Sequence, residues 1–292
     1  MPVAALLFAV VVWGLVPVAL RELVLNGPTA DVVIYRTLLS GLLAGLVLMW
    51  TGVPALTRAE WMRVLAASLI GNVGYQLLSI YGIEGTPASW TGVIYGLEPI
   101  FIALFAAVLA GERPGLPLYV GFALALAGTA VLFLSAGFDT TSIVSPFHLA
   151  LVTASTMGWG FYTVVIAPVA ARRGSLEVSL LSLVVSAVPA VAFMREGFFH
   201  RAAALGVEGI LAVVFLAIFG SVLAVVFWNY GVAHMKKAVA GLFLYAQPLV
   251  AALAGWWVLG EPLGAYFFLG GALILAGLAV AQAPSLLRER SA

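Results

Sequence analysis

The sequence contains ten long apolar segments joined by short connectors that hold most of its charges. A helix needs about 20 largely apolar residues to cross a bilayer, and it satisfies its own backbone hydrogen bonds there. Only 9% of the residues are charged, whereas a soluble domain carries about 25%. We therefore predict an all-α membrane protein of ten transmembrane helices. The predicted spans are 3–22, 32–51, 60–82, 88–110, 116–136, 146–168, 176–194, 207–230, 237–259 and 262–284.

Lys and Arg are distributed unequally between the two sets of connectors. If the N-terminus is cytoplasmic, nine of the 13 lie in inside loops or the tail and three lie outside. Short cytoplasmic loops normally carry the excess of positive charge. We therefore expect both termini in the cytoplasm. The location that we expect for the protein is a bacterial inner (plasma) membrane. The first segment is interpreted as an uncleaved span, because no Lys or Arg precedes it. The outside residues are Arg21, Arg195 and Arg201, and the inside ones are Arg58, Arg63, Arg113, Arg172, Arg173, Lys236, Lys237, Arg288 and Arg290.

Several classes of protein are disfavoured by the residues that the chain lacks. It has no cysteine, which excludes disulfides, thiolate metal sites and cysteine nucleophiles. Its net charge of +1 gives no reason to expect a nucleic-acid partner. An intramembrane enzyme needs convergent titratable groups, but the three histidines lie at the ends of predicted spans. We expect no enzyme activity, no cofactor and no metal.

The two halves of the chain align with each other when one is shifted by 149 residues. Each half then has five spans, and an odd number means that the second copy enters the bilayer from the opposite face. Inverted repeats of this kind place a solute site near the bilayer midplane. We predict two inverted five-helix repeats, residues 1–137 and 138–292, around a central cavity. Matched positions are Gly71 and Gly220, Tyr81 and Tyr230, Pro99 and Pro248, Glu112 and Glu261, and, at a shift of 146, Trp13 and Trp159.

Residues 96–113 and their partner segment 246–262 resemble the paired signatures of EamA-type transporters, which belong to the drug/metabolite transporter superfamily. The pairs that begin at Trp13, Trp159 and Tyr35 fit the same pattern. The likeness covers essentially the whole chain and is closest to the YddG-like aromatic amino-acid exporters, because the central helices are rich in aromatic residues. It implies ten helices in two inverted repeats, a central cavity, and export of amino acids or other metabolites. Arg36 departs from the repeat, since it has no counterpart in the seventh span.

Polar and aromatic side chains recur at helical spacing in several of the predicted spans. Such side chains are costly in lipid and face a cavity or another helix. Hydrogen bonding between packed helices is the simpler explanation for any one of them, but the stripes fall on helices that the repeat makes equivalent. Trp50, Trp61 and Trp90 fit the interfacial belt better. The candidate substrate-binding residues are Trp13, Asn72, Tyr75, Gln76, Ser79, Thr91, Tyr95, Glu98, Trp159, Tyr162, Asn229, Tyr245 and Gln247.

Glu98 is the only acid that we place well inside a span. It could bind a substrate amine, carry a coupling proton, or remain a neutral acid hydrogen-bonded to a neighbour. Its repeat partner Gln247 keeps the shape and the hydrogen bonding but cannot titrate. Pro99 and Pro248 follow these two residues directly, and they predict helix kinks at equivalent positions.

Three other features are interpreted as structural. Arg36 is expected to extend to the outer interface or to pair with Asp31. Glu112 closes a tight turn and is expected to cap the helix that follows it. The G-x-x-x-G pattern at 41–45 predicts close helix packing, within one molecule or in a dimer.

A cavity of Tyr, Trp, Asn and Gln suits a neutral or zwitterionic solute with an aromatic body. We therefore predict a secondary transporter that exports aromatic and other amino acids by alternating access. Export of amphipathic drugs or other metabolites stays open, and so does a solute channel. A sugar phosphate is disfavoured because it would need several cations and the spans contain only Arg36. The expected partners are the small-molecule substrate and the lipid bilayer, and a monomer would suffice.

Overall fold

The computed structural model describes residues 1–26, 29–86, 91, 94–113, 115–135, 145–260, 263 and 266–289. These residues form helices and turns, with no β-strand among them. Parts of the predicted spans 88–110 and 262–284, together with Trp90, Glu261 and Arg290, lie outside the described residues. The helices are α1 (Pro2–Asn26), α2 (Thr29–Thr51), α3 (Arg58–Ala66, Ala67–Gly74 and Tyr75–Ile83), α4 (Glu98–Ala110), α5 (Leu116–Ser135), α6 (Pro146–Arg173), α7 (Ser175–Ala190, then Val191–Phe193), α8 (Phe198–Ala203), α9 (Gly206–Phe215, Leu216–Leu223 and Ala224–Ala233), α10 (Lys237–Leu242, Phe243–Ala246 and Gln247–Leu259) and α11 (Phe267–Glu289).

Six of these helices are long and apolar enough to cross a membrane. They are Asp31–Thr51, Arg58–Ile83, Pro146–Arg173, Ser175–Phe193, Gly206–Ala233 and Lys237–Val258. Shorter apolar helical stretches cover Pro2–Val16, Glu98–Ala110, Leu116–Leu132 and Phe267–Ala281. Many large apolar side chains on the outer surface are exposed, as expected where the surrounding solvent is lipid. The chain is an integral membrane protein, and the ten-helix layout stays a prediction.

Helices α5 and α11 cross so closely that only glycine fits at the crossing. A Cβ added to Gly128 would lie 2.6 Å from the carbonyl oxygen of Gly270, and one added to Gly277 would lie 2.6 Å from that of Gly121. The reverse placements on Gly121 and Gly270 give 2.7 and 2.8 Å. These distances are too short for a real methyl group, so the two backbones are in direct contact. Small residues allow such approaches between membrane helices.

The G-x-x-x-G pattern of α2 packs within the molecule. A Cβ on Gly41 would collide with the side chain of Ala187 in α7, whereas one on Gly45 would meet Val184 at an ordinary 3.8 Å. Of the two arrangements that the sequence allows, the structure therefore has the intramolecular one at this position.

Helix irregularities recur at the repeat distance of 149 residues. The π-helical segments Ala67–Gly74 and Leu216–Leu223 are offset by this number, and so are Glu98–Ala110 and Gln247–Leu259. Both of the latter helices end at a left-handed glycine, with φ of 66° and 68°. A π-helical turn carries one extra residue and is frequent at functional sites. The sequence does not predict these segments.

Ion pairs join helix ends that are distant in sequence. Nε of Arg201 in α8 lies 2.6 Å from Oδ2 of Asp31, at the start of α2. The prediction that Arg36 pairs with Asp31 is therefore wrong, because Arg201 occupies that carboxylate. Arg36 instead donates a hydrogen bond to Gln76, with 3.3 Å between Nη2 and Oε1.

Glu112 caps a helix other than the one predicted. Its carboxylate accepts hydrogen bonds from the backbone N–H groups of Lys237 and Ala238, at 3.0 and 3.2 Å, and from Nζ of Lys237 at 3.1 Å. These groups begin α10, whereas the helix that follows Glu112 in the chain begins at Leu116. The carboxylate therefore stabilises the positive N-terminal end of α10.

Candidate functional site

A cluster of six aromatic side chains lies where α1, α3, α6 and α9 meet. We call Trp13, Tyr75, Tyr95, Trp159, Tyr162 and Trp228 the aromatic cluster. Trp13 contacts Trp159 edge to face, with 5.3 Å between ring centroids, and contacts Trp228 at 5.4 Å. Trp159 stacks on Tyr162 at 5.1 Å and contacts Tyr75 at 5.8 Å, and Tyr75 contacts Tyr95 at 6.4 Å. Centroid distances of this size are typical of attractive aromatic pairs.

The glycine after each tryptophan brings a second helix close to the cluster. A Cβ on Gly14 would lie 2.6 Å from Cβ of Val250 in α10, and one on Gly160 would lie 3.0 Å from Cβ of Phe101 in α4. The Trp-Gly pairs thus direct an indole into the cluster at points where two helix backbones cross. This packing explains why a large and a very small residue are adjacent in both halves.

Trp13 and Trp159, which the repeat makes equivalent, differ in their hydrogen bonds. Nε1 of Trp13 donates to the carbonyl oxygen of Gly220, at 2.9 Å, in the π-helical segment of α9. Nε1 of Trp228 donates to Oγ1 of Thr163 at 3.2 Å. No acceptor for Nε1 of Trp159 is found in the described part of the chain. The Trp159 donor is therefore available to a bound solute.

Glu98 lies in the first turn of α4, beside the cluster, and is only 7% exposed. Its polar neighbours are the hydroxyl groups of Tyr75 and Tyr95. The Tyr95 hydroxyl is in turn hydrogen-bonded to that of Ser79. None of the ion pairs between described residues involves Glu98. Among the described residues, the site thus presents a carboxyl group that pairs with no cation and lies beside aromatic rings.

A chain of hydrogen bonds leads from Arg36 into the protein. Oε1 of Gln76 accepts from Nη2 of Arg36 at 3.3 Å and from Oγ1 of Thr37 at 2.9 Å. Nε2 of Gln76 donates to Oδ1 of Asn72 at 3.0 Å, and Nδ2 of Asn72 donates to Oγ of Ser186 at 3.1 Å. These contacts tie α2, α3 and α7 together, so Asn72 and Gln76 serve in helix packing as well as being candidates for binding.

The same chain of contacts continues to Asn229 in α9, which is fully buried. Nδ2 of Asn229 donates to the hydroxyl of Tyr162 at 2.8 Å and to Oγ of Ser179 at 2.9 Å. Ser182 links Tyr162 to the serines of α7, with 3.4 Å between the two hydroxyl oxygens. The sequence-based set omits these α7 serines and Trp228. The spacing of Ser179, Ser182 and Ser186 on one helical face was the available signal.

Three predicted residues lie apart from the aromatic cluster in the described contacts. Oγ1 of Thr91 has only a long bond, 3.5 Å, to the carbonyl oxygen of Thr86. Tyr245 is buried, its hydroxyl has no hydrogen-bond partner among the described residues, and its ring contacts Phe122 at 6.5 Å. Gln247 is half-buried, and its carbonyl oxygen lies against Gly14. Their role in binding stays a prediction.

Both predicted kink prolines lie where a helix is interrupted. Pro248 is the second residue of Gln247–Leu259, directly after the 3₁₀ segment Phe243–Ala246. Pro99 is the second residue of Glu98–Ala110, after a turn. At this position proline loses no hydrogen bond, because the first N–H groups of a helix have no partner inside it.

Over the ranges given above, no group of three His, Asp or Glu side chains converges as a metal site.

The apolar helices and the buried polar groups between them are typical of a membrane transport protein. The EamA-like transporter family model matches residues 1–134 and 147–282. The chain therefore belongs to the EamA-like transporter family.

Its relatives include the probable terminal-alkyne amino-acid exporter of Streptantibioticus cattleyicolor. That protein is 30% identical over 228 residues, which cover 76% of this chain and 73% of the relative. The uncharacterized inner membrane transporter YedA of Escherichia coli is 28% identical over 275 residues, 90% of this chain and 85% of YedA. A crystal structure superposes with a TM-score of 0.77 over 99% of this chain and 98% of its own, at 21% identity. It has the same fold.

Proposed function

We propose that this protein is a secondary transporter that exports aromatic and other amino acids by alternating access. The observation that carries the proposal is the buried Glu98 carboxyl, which lies beside aromatic rings between helices of both halves. An ammonium group would pair with the carboxylate and lie over the Tyr75 or Trp159 ring in a cation–π contact. The ring of the substrate would pack against the rings of the aromatic cluster. The amino-acid exporter among the relatives supports the same substrate class.

The proposal includes two inverted five-helix repeats, residues 1–137 and 138–292. The crossing of α5 and α11 supports it, because Gly121 contacts Gly277 and Gly128 contacts Gly270. Shifting by 149 residues exchanges these two contacts, as a two-fold axis through the crossing would require. The equivalent Trp13 and Trp159 rings also contact each other. The two separate family matches agree with this division.

A cytoplasmic location for both termini is also part of the proposal. Each ion pair between described residues joins ends that the positive-inside distribution assigns to one face. Glu60 pairs with Arg173 at 2.9 Å on the inner face, and Asp31 pairs with Arg201 on the outer face. If one predicted membrane crossing between the two partners were absent, the partners would lie on opposite faces of the bilayer and could not pair.

An amphipathic organic cation is the second candidate substrate. Glu98 with Tyr75, Tyr95 and Trp159 would hold such a cation as well as it would hold a substrate ammonium, because neither contact requires a carboxylate on the substrate. A substrate panel must therefore contain both classes. Saturable flux with counterflow would distinguish a carrier from a channel.

The test is uptake into proteoliposomes of the purified protein, with labelled amino acids and a lipophilic cation. Glu98→Gln, Tyr95→Ala and Trp159→Ala are each expected to lower uptake by about tenfold or more, since they remove a charge-assisted contact or a large ring face. Trp257→Ala is the matched control, because Trp257 in α10 is 82% exposed and is not part of the aromatic cluster. If Glu98 carries a coupling proton, Glu98→Gln also abolishes the response to a pH gradient. Wild-type uptake in all three variants would exclude this site.

A further inference from the structure

Arg36 is a charged residue inside α2, and no acidic side chain among the described residues forms an ion pair with it. It lies five positions after Asp31, or about 8 Å further along the helix. The Asp31 carboxylate is taken by Arg201, and no ion pair between described residues involves Arg36. A guanidinium in a membrane span is costly, and charged groups there face the interior of the helix bundle and mark substrate or ion pathways. Helix packing alone therefore does not explain why a charged residue lies at this position of α2.

The protein holds the Arg36 side chain in place through Gln76. The Gln76 carbonyl oxygen accepts from Nη2 of Arg36 and from Thr37, while its amide nitrogen donates to Asn72. These bonds determine which way the Gln76 amide points. A guanidinium has five N–H donors, and only one is engaged with a described residue. The remaining donors are available to an anion.

Arg36 also lies near the proposed substrate site. Gln76, which accepts the hydrogen bond from Arg36, directly follows Tyr75 in α3. The Tyr75 ring belongs to the aromatic cluster through Tyr95 and Trp159. A ligand whose ring lies against Tyr75 can therefore extend an acidic group toward Arg36.

We propose that Arg36 binds the carboxylate of the substrate and that Gln76 is its positioning residue. This inference rests on the proposed function. The planar fork of a guanidinium matches a carboxylate with two parallel hydrogen bonds, which a lysine ammonium cannot reproduce. Arg36 then selects amino acids over amines that have the same ring. Glu98 alone would bind an amino acid or an amphipathic organic cation, and Arg36 favours the amino acid.

The test is calorimetric binding of three ligands to the purified protein. They are L-phenylalanine, phenethylamine, which lacks the carboxylate, and 3-phenylpropionate, which lacks the amine. Arg36→Gln is expected to weaken phenylalanine and 3-phenylpropionate by a factor of about 10 to 100, the size of a lost hydrogen bond between charged groups. Phenethylamine should change by less than about twofold. Arg36→Lys should cause an intermediate loss of affinity, because lysine keeps the positive charge but lacks the two parallel N–H donors of the guanidinium.

Gln76→Glu is a second variant that does not depend on removing a charge. It places a carboxylate where the Gln76 carbonyl now accepts from Arg36, so it neutralises the guanidinium in place, and it gives up the hydrogen bond that the Gln76 amide donates to Asn72. Binding of phenethylamine, which does not involve Arg36, reports whether the variant is folded. The preference for phenylalanine over phenethylamine should disappear in this variant as well. An unchanged affinity ratio in Arg36→Gln and Gln76→Glu, or equal weakening of all three ligands, would overturn the role of Arg36. A wild-type protein that binds none of the ligands would overturn the proposed function as well.

Discussion

Replacing Gly128 by Ala is expected to destabilise the protein at the crossing of α5 and α11. The added Cβ would lie 2.6 Å from the carbonyl oxygen of Gly270 and 2.9 Å from the side chain and backbone nitrogen of Ile274. Ordinary contacts of this kind begin near 3.4 Å, so the helices must separate by roughly 0.8 Å or distort. Overpacking of this sort costs about 1–3 kcal/mol.

Gly45→Ala in α2 is the matched control. Its Cβ would meet Val184 at 3.8 Å, which is an ordinary contact. Both substitutions gain the same helix propensity, up to about 1 kcal/mol, so this gain cancels when the two variants are compared. Gly128→Ala should therefore be less stable than Gly45→Ala by about 1–3 kcal/mol.

Steric trapping in bicelles measures the free energy of unfolding of both variants directly. Gly277→Ala should behave like Gly128→Ala, because its Cβ would lie 2.6 Å from the carbonyl oxygen of Gly121. If Gly128→Ala and Gly45→Ala had equal stability, the direct backbone contact of these two helices would be refuted.

Substitutions at three other positions test contacts between distant parts of the chain. Glu112→Ala removes the acceptor that caps α10 and should cost about 0.5–2 kcal/mol, whereas Glu112→Gln should cost less; steric trapping measures both. Asp31→Asn removes the ion-pair partner of Arg201, so backbone hydrogen exchange should become faster in α8 and stay unchanged at the start of α3. Asn229→Leu removes two buried hydrogen bonds, including the one to Tyr162, and should cost about 1–2 kcal/mol in the same unfolding assay.

The positions of the helices could largely be predicted because charges, proline and glycine mark the ends of apolar segments. The predicted spans 60–82 and 116–136 differ by only one or two residues from Arg58–Ile83 and Leu116–Ser135. The π-helical segments could not be predicted, because one extra residue per turn leaves the apolar pattern almost unchanged. The first of them coincides with a close helix crossing, that of Gly71 with Tyr162.

The candidate site was only partly predictable, for a similar reason. The structure brings Trp159 into contact with Trp13 and Tyr75, and the role of these residues in binding stays a prediction. The partner of Asp31 is 170 positions away in the chain. No local pattern indicates that contact, so a short-range pairing with Arg36 was the natural and incorrect prediction. Contacts between the halves depend on tertiary packing.

Cysteine labelling at two equivalent positions tests the inverted repeat most directly. Arg58 and Val207 are 149 residues apart, both are exposed, and each lies at the start of a helix in its half. The chain has no native cysteine, so Arg58→Cys and Val207→Cys can be labelled one at a time in intact cells with a membrane-impermeant maleimide. We expect labelling of Val207→Cys without permeabilisation and of Arg58→Cys only after it. Labelling of both variants from the same face would contradict two copies of opposite orientation.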